Sequence, residues 1–492
     1  MGPPDPDVWI LSVLEELNEP FTSDTAQFSK YSVFRLTGLL PVLKDRKKGS
    51  FVDERGVYHP GLIKRGRRSE RIIADMQGPG VLTRIWLERQ AGQLRIYADD
   101  AAEPVIDMAC DAIFGNHIRF FTKPLCLRQG ESAVLSLPIP FKKSLRVTLD
   151  GPSTNYEVQI RSYGEDVSLE TFAPGRCVEA IYRAGRLFDS LKAKMVVPPS
   201  LTSKPGAALV IPRPDFSSSI PGHKSVVAFK KKVTTPTVVD SMTLDLLAPF
   251  KTLGDLEQLD LLVSCDDEVR IDLPLKHVFG VGSNFKVGIT DAVQTYGAIP
   301  NRLNRWRFRV PIVFSKNITI HVRNRGVGRV DGLRLSFTSR AAAANEVHWQ
   351  LCGVSAQGNT ESKMLKLDVS GPGVLVRESI AGPYNDQIKG AMISCLDHGA
   401  ELLKPATVVT HFAIPNSGNP QALGSSLWGK WGNPAVRGFL ATRCRSLDRV
   451  PFTDLTWQLN GFKTTDLRDF SLGLMYYRPV EKTEALPDGQ GR

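Results

Sequence analysis

The chain repeats one phrase, LRIYADDAAEPVID at residues 94–107 and LDLLVSCDDEVRID at residues 259–272. Both copies end in Ile-Asp, and six residues separate that pair from a Phe-Gly pair. Each copy leads to a second shared phrase, PIPFKKSLRVTL at 138–149 and PIVFSKNITIHV at 311–322. A repeat of this length is a whole domain, because solenoid units have only about 20–50 residues. The chain is therefore predicted to be a tandem of related β-domains.

The predicted fold class is all-β, with tandem β-jelly-roll or sandwich domains. Short β-type runs such as VLTRIWLE at 81–88 are broken by Gly, Pro and Asp-Asp pairs, which is typical of sandwiches and jelly rolls. Two helices are also expected, an N-terminal one at 7–18 and an inter-domain one at 178–195, because their apolar residues recur at helical spacing. A divergent third copy of the repeat ends at VPFTDLTWQL, residues 450–459.

The predicted organisation has six segments. They are an N-terminal helix and basic arm at 1–75, a first jelly-roll domain at 76–172, a helix and Pro-rich linker at 173–223, a second jelly-roll domain at 224–340, a third, divergent β-domain at 341–480, and a flexible tail at 481–492.

The repeated phrases have an architectural interpretation that needs no ligand. The Asp-Asp pairs at 99–100 and 266–267 suit tight turns, because a short carboxylate bonds local backbone. Each Phe-Gly pair offers a core aromatic and then a residue free to adopt positive φ. The Pro-x-x-Phe phrase begins a strand at a sheet edge, where proline is tolerated. We therefore expect the repeat to build the scaffold and not to carry catalysis.

Composition narrows the class of protein. With 492 residues, 42% hydrophobic and 23% charged, the chain is typical of a soluble globular protein with several domains. No apolar run approaches the roughly 18 residues of a membrane span, and the N-terminus lacks the basic start of a signal peptide. A cytoplasmic location is expected, and a mature secreted form stays open.

The seven cysteines are scattered and never form a CxxC pair. This pattern favours free, mostly buried thiols over a zinc site or a disulfide framework. No metal and no cofactor are expected.

The formal charge of +11 is concentrated in basic stretches at 44–48, 64–71 and 230–232. Solvated loops or an oligomer contact are favoured for them over nucleic-acid binding. RWRFRV at 305–310 alternates arginine with apolar residues, which predicts a half-buried strand with a basic outer face.

Several phrases resemble one known family. QGPGVLTRIWLE at 77–88, LRIYADD at 94–100, IDMACDAIFG at 106–115 and PIPFKKSLRVTL at 138–149 occur in the order and spacing of DUF2961, which includes glycoside hydrolase family 172. VSGPGVLVR at 369–377 echoes the first copy. The resemblance implies tandem β-jelly-rolls, trimers or hexamers, and activity on fructo- or arabinofuranosides. The plan is also similar to that of certain viral capsid proteins.

The chain departs from this family where the chemistry should be. A retaining glycosidase needs two carboxyl groups about 5 Å apart. Active family members carry two glutamates 21 residues apart, and the corresponding positions here are Ile388 and Val409. Neither side chain can ionise. The weak substitutes nearby are Glu378, Asp386, Asp397 and Glu401.

Tryptophans keep a carbohydrate function open. SSLWGKWGNP at 425–434 places Trp428 and Trp431 in a Gly-rich stretch, where exposed indoles could stack on sugar rings. Packing on a neighbouring subunit is the alternative for this pair. Trp349 and Trp457 are expected in the core.

Three functions follow from these observations. The first is a homo-oligomeric jelly-roll protein, similar to family 172, that binds carbohydrate or serves a structural role after loss of the catalytic pair. The second is an active furanosidase that uses other carboxylates. The third is a capsid-like, shell-forming protein whose basic arm at 42–74 faces nucleic acid or an acidic neighbour.

Overall fold

A computed structural model of the chain describes three β-regions and their turns. Apart from single positions and short gaps, the described residues are 28–36, 62–175, 216–247, 257–280, 294–299, 303–383, 391–407, 428–433, 438–444 and 450–480, with short pieces at 51–52, 58–59, 181, 412 and 423–424. The predicted helix at 7–18, most of the helix at 178–195 and the tail at 481–492 lie outside the described residues.

The first region is a two-sheet sandwich with a short helix, α1 (Cys110–Phe114). Its strands are β1 (Phe28–Leu36), β2 (Phe51–Val52), β3 (Tyr58–His59), β4 (Leu62–Arg65), β5 (Arg68–Gln77), β6 (Gly80–Glu88), β7 (Gln93–Ala98), β8 (Ile106–Ala109), β9 (Cys126–Gln129), β10 (Ser132–Leu135), β11 (Ile139–Phe141), β12 (Ser144–Asp150) and β13 (Tyr156–Tyr163). One sheet has the order β1-β13-β6-β10-β9 and the other β4-β5-β12-β7-β8. The sandwich therefore includes strands upstream of residue 76, within the segment predicted as an arm.

The second region repeats this plan and contains helix α2 (Leu275–Phe279). Its strands are β14 (Phe216–Ile220), β15 (Ser225–Lys232), β16 (Thr237–Leu247), β17 (Leu259–Cys265), β18 (Glu268–Pro274), β19 (Gln294–Ile299), β20 (Leu303–Phe308), β21 (Ile312–Phe314), β22 (Asn317–Asn324) and β23 (Val330–Ala341). One sheet has the order β14-β23-β16-β20-β19, and β15-β22-β17-β18 lies in the other.

The third region follows a single 3₁₀ turn at Glu346–His348. Its strands are β24 (Trp349–Gln357), β25 (Leu365–Val369), β26 (Gly373–Pro383), β27 (Met392–Asp397), β28 (Ala400–Thr407), β29 (Leu423–Gly424), β30 (Trp428–Asn433), β31 (Gly438–Cys444), β32 (Val450–Phe452), β33 (Leu455–Asn460) and β34 (Ser471–Pro479). Its sheets are β24-β34-β26-β31-β30-β29 and β25-β33-β27-β28. The prediction of an all-β chain of sandwich domains is confirmed.

Alternating burial explains why these segments form strands. Along β22, buried Ile318, Ile320 and Val322 alternate with half-buried residues, the two-residue period of a sheet with one face on the core. RWRFRV follows the same rule, since Trp306, Phe308 and Val310 are buried. Its outer face is not freely basic, because Arg305 donates two hydrogen bonds, of 2.6 and 2.7 Å, to the Asp245 carboxylate.

The two Asp-Asp pairs form tight turns, as predicted. Asp99 and Asp100 have φ of 55° and 58°, and Asp266 and Asp267 have φ of 53° and 70°. Asp tolerates this left-handed region better than most residues, because its side chain bonds locally. The prediction that the glycine of each Phe-Gly pair adopts positive φ is right only for the second copy. Gly280 has φ of 65°, whereas Gly115 has φ of −80°, which any residue can adopt.

The first aspartate of each pair fastens its turn to the loop before the next core strand. Asp99 accepts backbone N–H bonds of 2.6–3.3 Å from residues 142–144, and Asp266 accepts bonds of 2.6–3.1 Å from residues 315–317. We call these contacts the turn clasps. The turn clasps explain why each copy of the repeat has an aspartate in this turn and, far downstream, a loop that directly follows a phenylalanine.

The third copy keeps a turn clasp in altered form. Asp397 accepts backbone N–H bonds from Thr453, at 3.0 Å, and from Asp454, at 2.6 Å. In the strand ladder Asp397 pairs with Leu455, as Ala98 pairs with Leu145 in the first copy. The aspartate therefore lies one residue earlier than in the other copies, and it still reaches the downstream loop.

A second repeated contact links the copies. A Cβ added at Gly80 would lie 2.6 Å from the Phe141 ring, and one added at Gly373 would lie 2.5 Å from the Phe452 ring. Both rings belong to the short strands that pair with β6 and β26. The GPGV phrase and the Pro-x-x-Phe phrase thus occur together, because the aromatic ring packs where glycine leaves room.

The second and third sandwiches share one 11-stranded sheet. Its two parts join where β18 pairs with β24 in parallel, with Ile271 opposite Gly353. A Cβ at Gly353 would lie 2.7 Å from Leu273, so the close approach of these strands requires glycine.

The five described cysteines, Cys110, Cys126, Cys265, Cys352 and Cys395, are free and buried. No helix among the described residues is long and apolar enough to cross a membrane.

Candidate functional site

Two residues predicted from the sequence meet on one row of the large sheet of the third region. Glu378 lies on β26 and is fully buried. Arg443 on β31 pairs with Glu378 across the ladder, and Trp428 on β30 pairs with Arg443 in turn. The row Trp428–Arg443–Glu378 therefore places a candidate sugar-stacking residue and a candidate carboxylate on either side of one arginine.

The first sandwich contacts this row through polar side chains. Arg443 Nη2 donates a 2.6 Å hydrogen bond to the side-chain amide oxygen of Gln159, Oε1. Gln159 donates a 2.5 Å bond to Glu157, and Arg84 forms an ion pair with the same carboxylate. We call Arg84, Glu157, Gln159, Glu378 and Arg443 the junction cluster, because it joins the first and third sandwiches.

The junction cluster is buried and balanced in charge. Each of its five residues is at most 6% exposed. Two guanidinium groups offset two carboxylates, as buried charges require.

Four of the cluster residues, Arg84, Glu157, Gln159 and Arg443, were not singled out from the sequence. Arg84, Glu157 and Gln159 lie on β6 and β13, strands expected to serve the scaffold. The sequence feature that could have pointed to this cluster is the lone arginine inside the apolar strand VLTRIWLE, because a buried arginine requires a partner.

Asp397, another candidate carboxylate, is held by its turn clasp. Its carboxylate accepts the backbone N–H groups of Thr453 and Asp454. It lies at the end of β27, in the smaller sheet, whereas Glu378 lies in the larger sheet. The structure therefore does not bring these two carboxylates together in one hydrogen-bonded group.

The remaining predicted site residues are only partly described. Asp386, Ile388 and Val409 lie outside the described residues. Glu401 lies on β28, where it pairs with Leu396, and Trp431 lies on β30, where it pairs with Leu440. Trp457 is completely buried, as predicted, whereas Trp349 is half-buried at the edge of the second core.

The part of the chain that the structure describes contains no set of metal ligands. No group of three or more His, Cys, Asp or Glu side chains is arranged there to hold a metal ion. His398, which the sequence places near the candidates, forms a 3.1 Å contact with Asp454 at an exposed turn.

Comparison with known proteins gives one family match. Residues 26–179 match the GH172 first beta-sandwich domain. No curated protein matches the chain. The major capsid protein P2 from bacteriophage PM2 aligns with 54% of this chain and 96% of its own, at 10% identity and a TM-score of 0.29.

The chain is an all-β protein of sandwich domains. Its first sandwich is similar to the GH172 first beta-sandwich domain, so the predicted resemblance is confirmed over residues 26–179.

Proposed function

We propose that this GH172-like chain is a homo-oligomeric carbohydrate-binding protein without the hydrolytic glutamate pair of its family. The observation that carries the proposal is the row Trp428–Arg443–Glu378 with its contacts to the first sandwich. Planar polar groups of this kind hydrogen-bond pairs of sugar hydroxyls, and indole rings stack on apolar sugar faces. The trimer or hexamer implied by the resemblance is part of the proposal.

The disposition of the carboxylates supports binding without hydrolysis. Retaining glycosidases place two carboxyl groups about 5 Å apart, and inverting ones about 6.5–9.5 Å apart. Asp397 is engaged by two backbone N–H groups, and Glu378 lies within a charge-balanced cluster. The two residues also lie in different sheets, Glu378 on β26 and Asp397 on β27.

We expect the pure protein to bind fructofuranosyl or D-arabinofuranosyl oligosaccharides and to release no sugar from them. Isothermal titration measures the binding, and chromatography of the incubated oligosaccharides measures hydrolysis. Sustained release of sugar that Glu378→Gln abolishes would overturn the proposal in favour of an active furanosidase. Absence of binding to every such sugar would leave a structural role.

The matched variants for this experiment are Trp428→Ala and Trp431→Ala. Both tryptophans lie on β30, but only Trp428 pairs with Arg443 of the junction cluster. We therefore expect Trp428→Ala to weaken binding at least about tenfold and Trp431→Ala to weaken it less, since stacking on an indole contributes about 1–3 kcal/mol by analogy with base stacking. Equal thermal unfolding of the two variants is the control for folding. Equal affinities of the variants and wild type would remove Trp428 from the site.

The proposed oligomer gives a separate prediction. Light scattering coupled to size-exclusion chromatography should yield three or six times the chain mass of 54.2 kDa. Closed symmetric assemblies of identical chains produce such integral multiples. A concentration-independent monomer would contradict this part of the proposal and leave carbohydrate binding to be judged by titration.

A further inference from the structure

A polar pocket lies where the second and third sandwiches join. Its volume is about 260 Å³, and its walls include Asp260, Asp272, Arg323, Arg325 and Ser355. None of the junction-cluster residues lines it. We call it the seam pocket, because β18 and β24 pair along its border.

The charged groups of the seam pocket are held in a fixed geometry. Arg323 donates bonds of 3.0 and 2.8 Å to Asp260 Oδ2 and a bond of 2.9 Å to Asp272 Oδ1. Arg325 Nε lies 2.9 Å from the same Asp260 Oδ2. Two arginines and two aspartates thus leave these groups with no formal net charge.

One buried acceptor in this arrangement has no partner. Asp260 is 2% exposed, and its Oδ1 accepts no hydrogen bond from any described residue. Both arginines contact the other oxygen, Oδ2. A buried carboxylate oxygen without a donor is costly. This atom has almost no solvent-accessible surface, so a ligand hydroxyl would reach it only after a small rotation of the side chain.

Donors lie beside this acceptor. Within the described part of the chain, only Nε of Arg325 is engaged, so its two terminal nitrogens are available. Arg323 uses Nε and Nη2, which leaves Nη1. Val354, Ala356 and Pro274 add apolar surface to the same walls.

We infer that the seam pocket binds a small neutral polyol, of the size of one sugar ring, through two neighbouring hydroxyl groups. A hydroxyl both donates and accepts, so one hydroxyl can donate to Asp260 Oδ1 while it accepts from a guanidinium. A second hydroxyl on the adjacent carbon can repeat this pattern between Asp272 and Arg325. The volume lies near the lower end of small-molecule sites, at about 300 Å³.

Other ligand classes fit the chemistry less well. An anion would face two carboxylates, and a cation would face two guanidinium groups. A purely apolar ligand would leave Asp260 Oδ1 without a partner. This site is distinct from the one proposed above and stands on its own geometry.

The test uses Arg325→Met, which removes the free donors and keeps much of the side-chain stem. Arg323 still pairs with Asp260 in this variant. Arg329→Met is the matched control, since Arg329 pairs with Asp331 at an exposed position away from the pocket. Three proteins are compared: Trp428→Ala alone, Trp428→Ala with Arg325→Met, and Trp428→Ala with Arg329→Met. All three carry Trp428→Ala so that sugar binding at the other site does not interfere.

Ligand-observed NMR with glucose, galactose, fructose, arabinose and 2-deoxyglucose measures the affinity. We expect millimolar binding of at least one sugar with neighbouring hydroxyls, weakened at least about tenfold by Arg325→Met and unchanged by Arg329→Met. The 2-deoxy sugar should bind more weakly than glucose if glucose is the sugar that binds. Asp272→Asn, which preserves shape, is a second variant should Arg325→Met unfold.

Three results would overturn the inference. They are absence of binding by every sugar, equal binding by the Arg325→Met and Arg329→Met proteins, and stronger competition by inorganic phosphate than by any sugar. Failure of Trp428→Ala to alter oligosaccharide binding would affect only the function proposed above.

Discussion

Replacing His277 with Gln should remove an acid sensitivity that we expect of the wild-type protein below pH 6.5. His277 lies on α2 and is 1% exposed. Its ring nitrogens lie 2.8 Å from Ser379 Oγ and 3.0 Å from Ser471 Oγ, on two strands of the third sandwich. The side chain therefore connects the second sandwich to the third.

The pKa of His277 lies well below its ordinary value. Burial is the main cause, and the positive charges of Lys276, Arg377 and Arg325 add to it. The unfolded chain takes up a proton near pH 6.5, whereas the folded chain stays neutral at this site. The unfolded state therefore binds more protons as the pH falls, and the free energy of unfolding decreases between pH 6.5 and the folded pKa.

The expected difference is about 1 kcal/mol between pH 6.5 and 5.5, and about 1.4 kcal/mol for each further pH unit. Urea unfolding of wild type and His277→Gln at several pH values measures it, because groups common to both proteins cancel. The variant should also be less stable at pH 7.5 by about 2–3 kcal/mol, since it disturbs buried hydrogen bonds. His321→Gln, on β22 of the same sheet, is the control. Parallel pH profiles of wild type and His277→Gln would contradict the prediction.

Asp266→Asn should lower the free energy of unfolding at pH 7 by about 2 kcal/mol, because the turn clasp loses its charge. Asp267→Asn is the matched control at the adjacent turn position, where the side chain accepts one 3.2 Å bond from Asn317. Asn tolerates positive φ, so neither change strains the backbone. The control should change stability by less than about 0.5 kcal/mol.

The effect of Asp266→Asn should depend on pH. Burial raises the pKa of Asp266, but the backbone N–H groups of residues 315–317 and the Arg270 guanidinium outweigh it, so the pKa lies below its ordinary value. The carboxylate therefore stabilises the fold above about pH 3.9, and this contribution is lost as the pH falls through the folded pKa. The gap between wild type and variant should narrow in acid. A constant gap, or equal losses for the two substitutions, would show that the clasp is not the cause.

Much of the scaffold could be predicted because its causes are local and repeated. The Asp-Asp turns follow from side chains that bond nearby backbone, and the strands follow from two-residue alternation. The positive φ of Asp99 and Asp266 and the burial of Trp306 and Trp457 were expected on these grounds. The extra strands before residue 76 were not expected, because polar, basic edge strands resemble loops in sequence.

The candidate sites depended on contacts between distant parts of the chain. The sequence identified Glu378 and Trp428 as separate candidates, and only the register of β26, β31 and β30 placed them on one row with Arg443. It also suggested Asp397 as a carboxylate of interest, whereas the structure engages it in a turn clasp.

An all-β chain of repeated sandwiches with a resemblance to GH172 could be recognised from the sequence alone. Alternating hydrophobicity and turn chemistry act over a few residues, so they can be recognised in one dimension. The junction cluster, the seam pocket and the surroundings of His277 become visible only in the folded chain. These features arise where sandwiches pack on each other, and the burial and pairing of a charged group depend on residues far away in the chain.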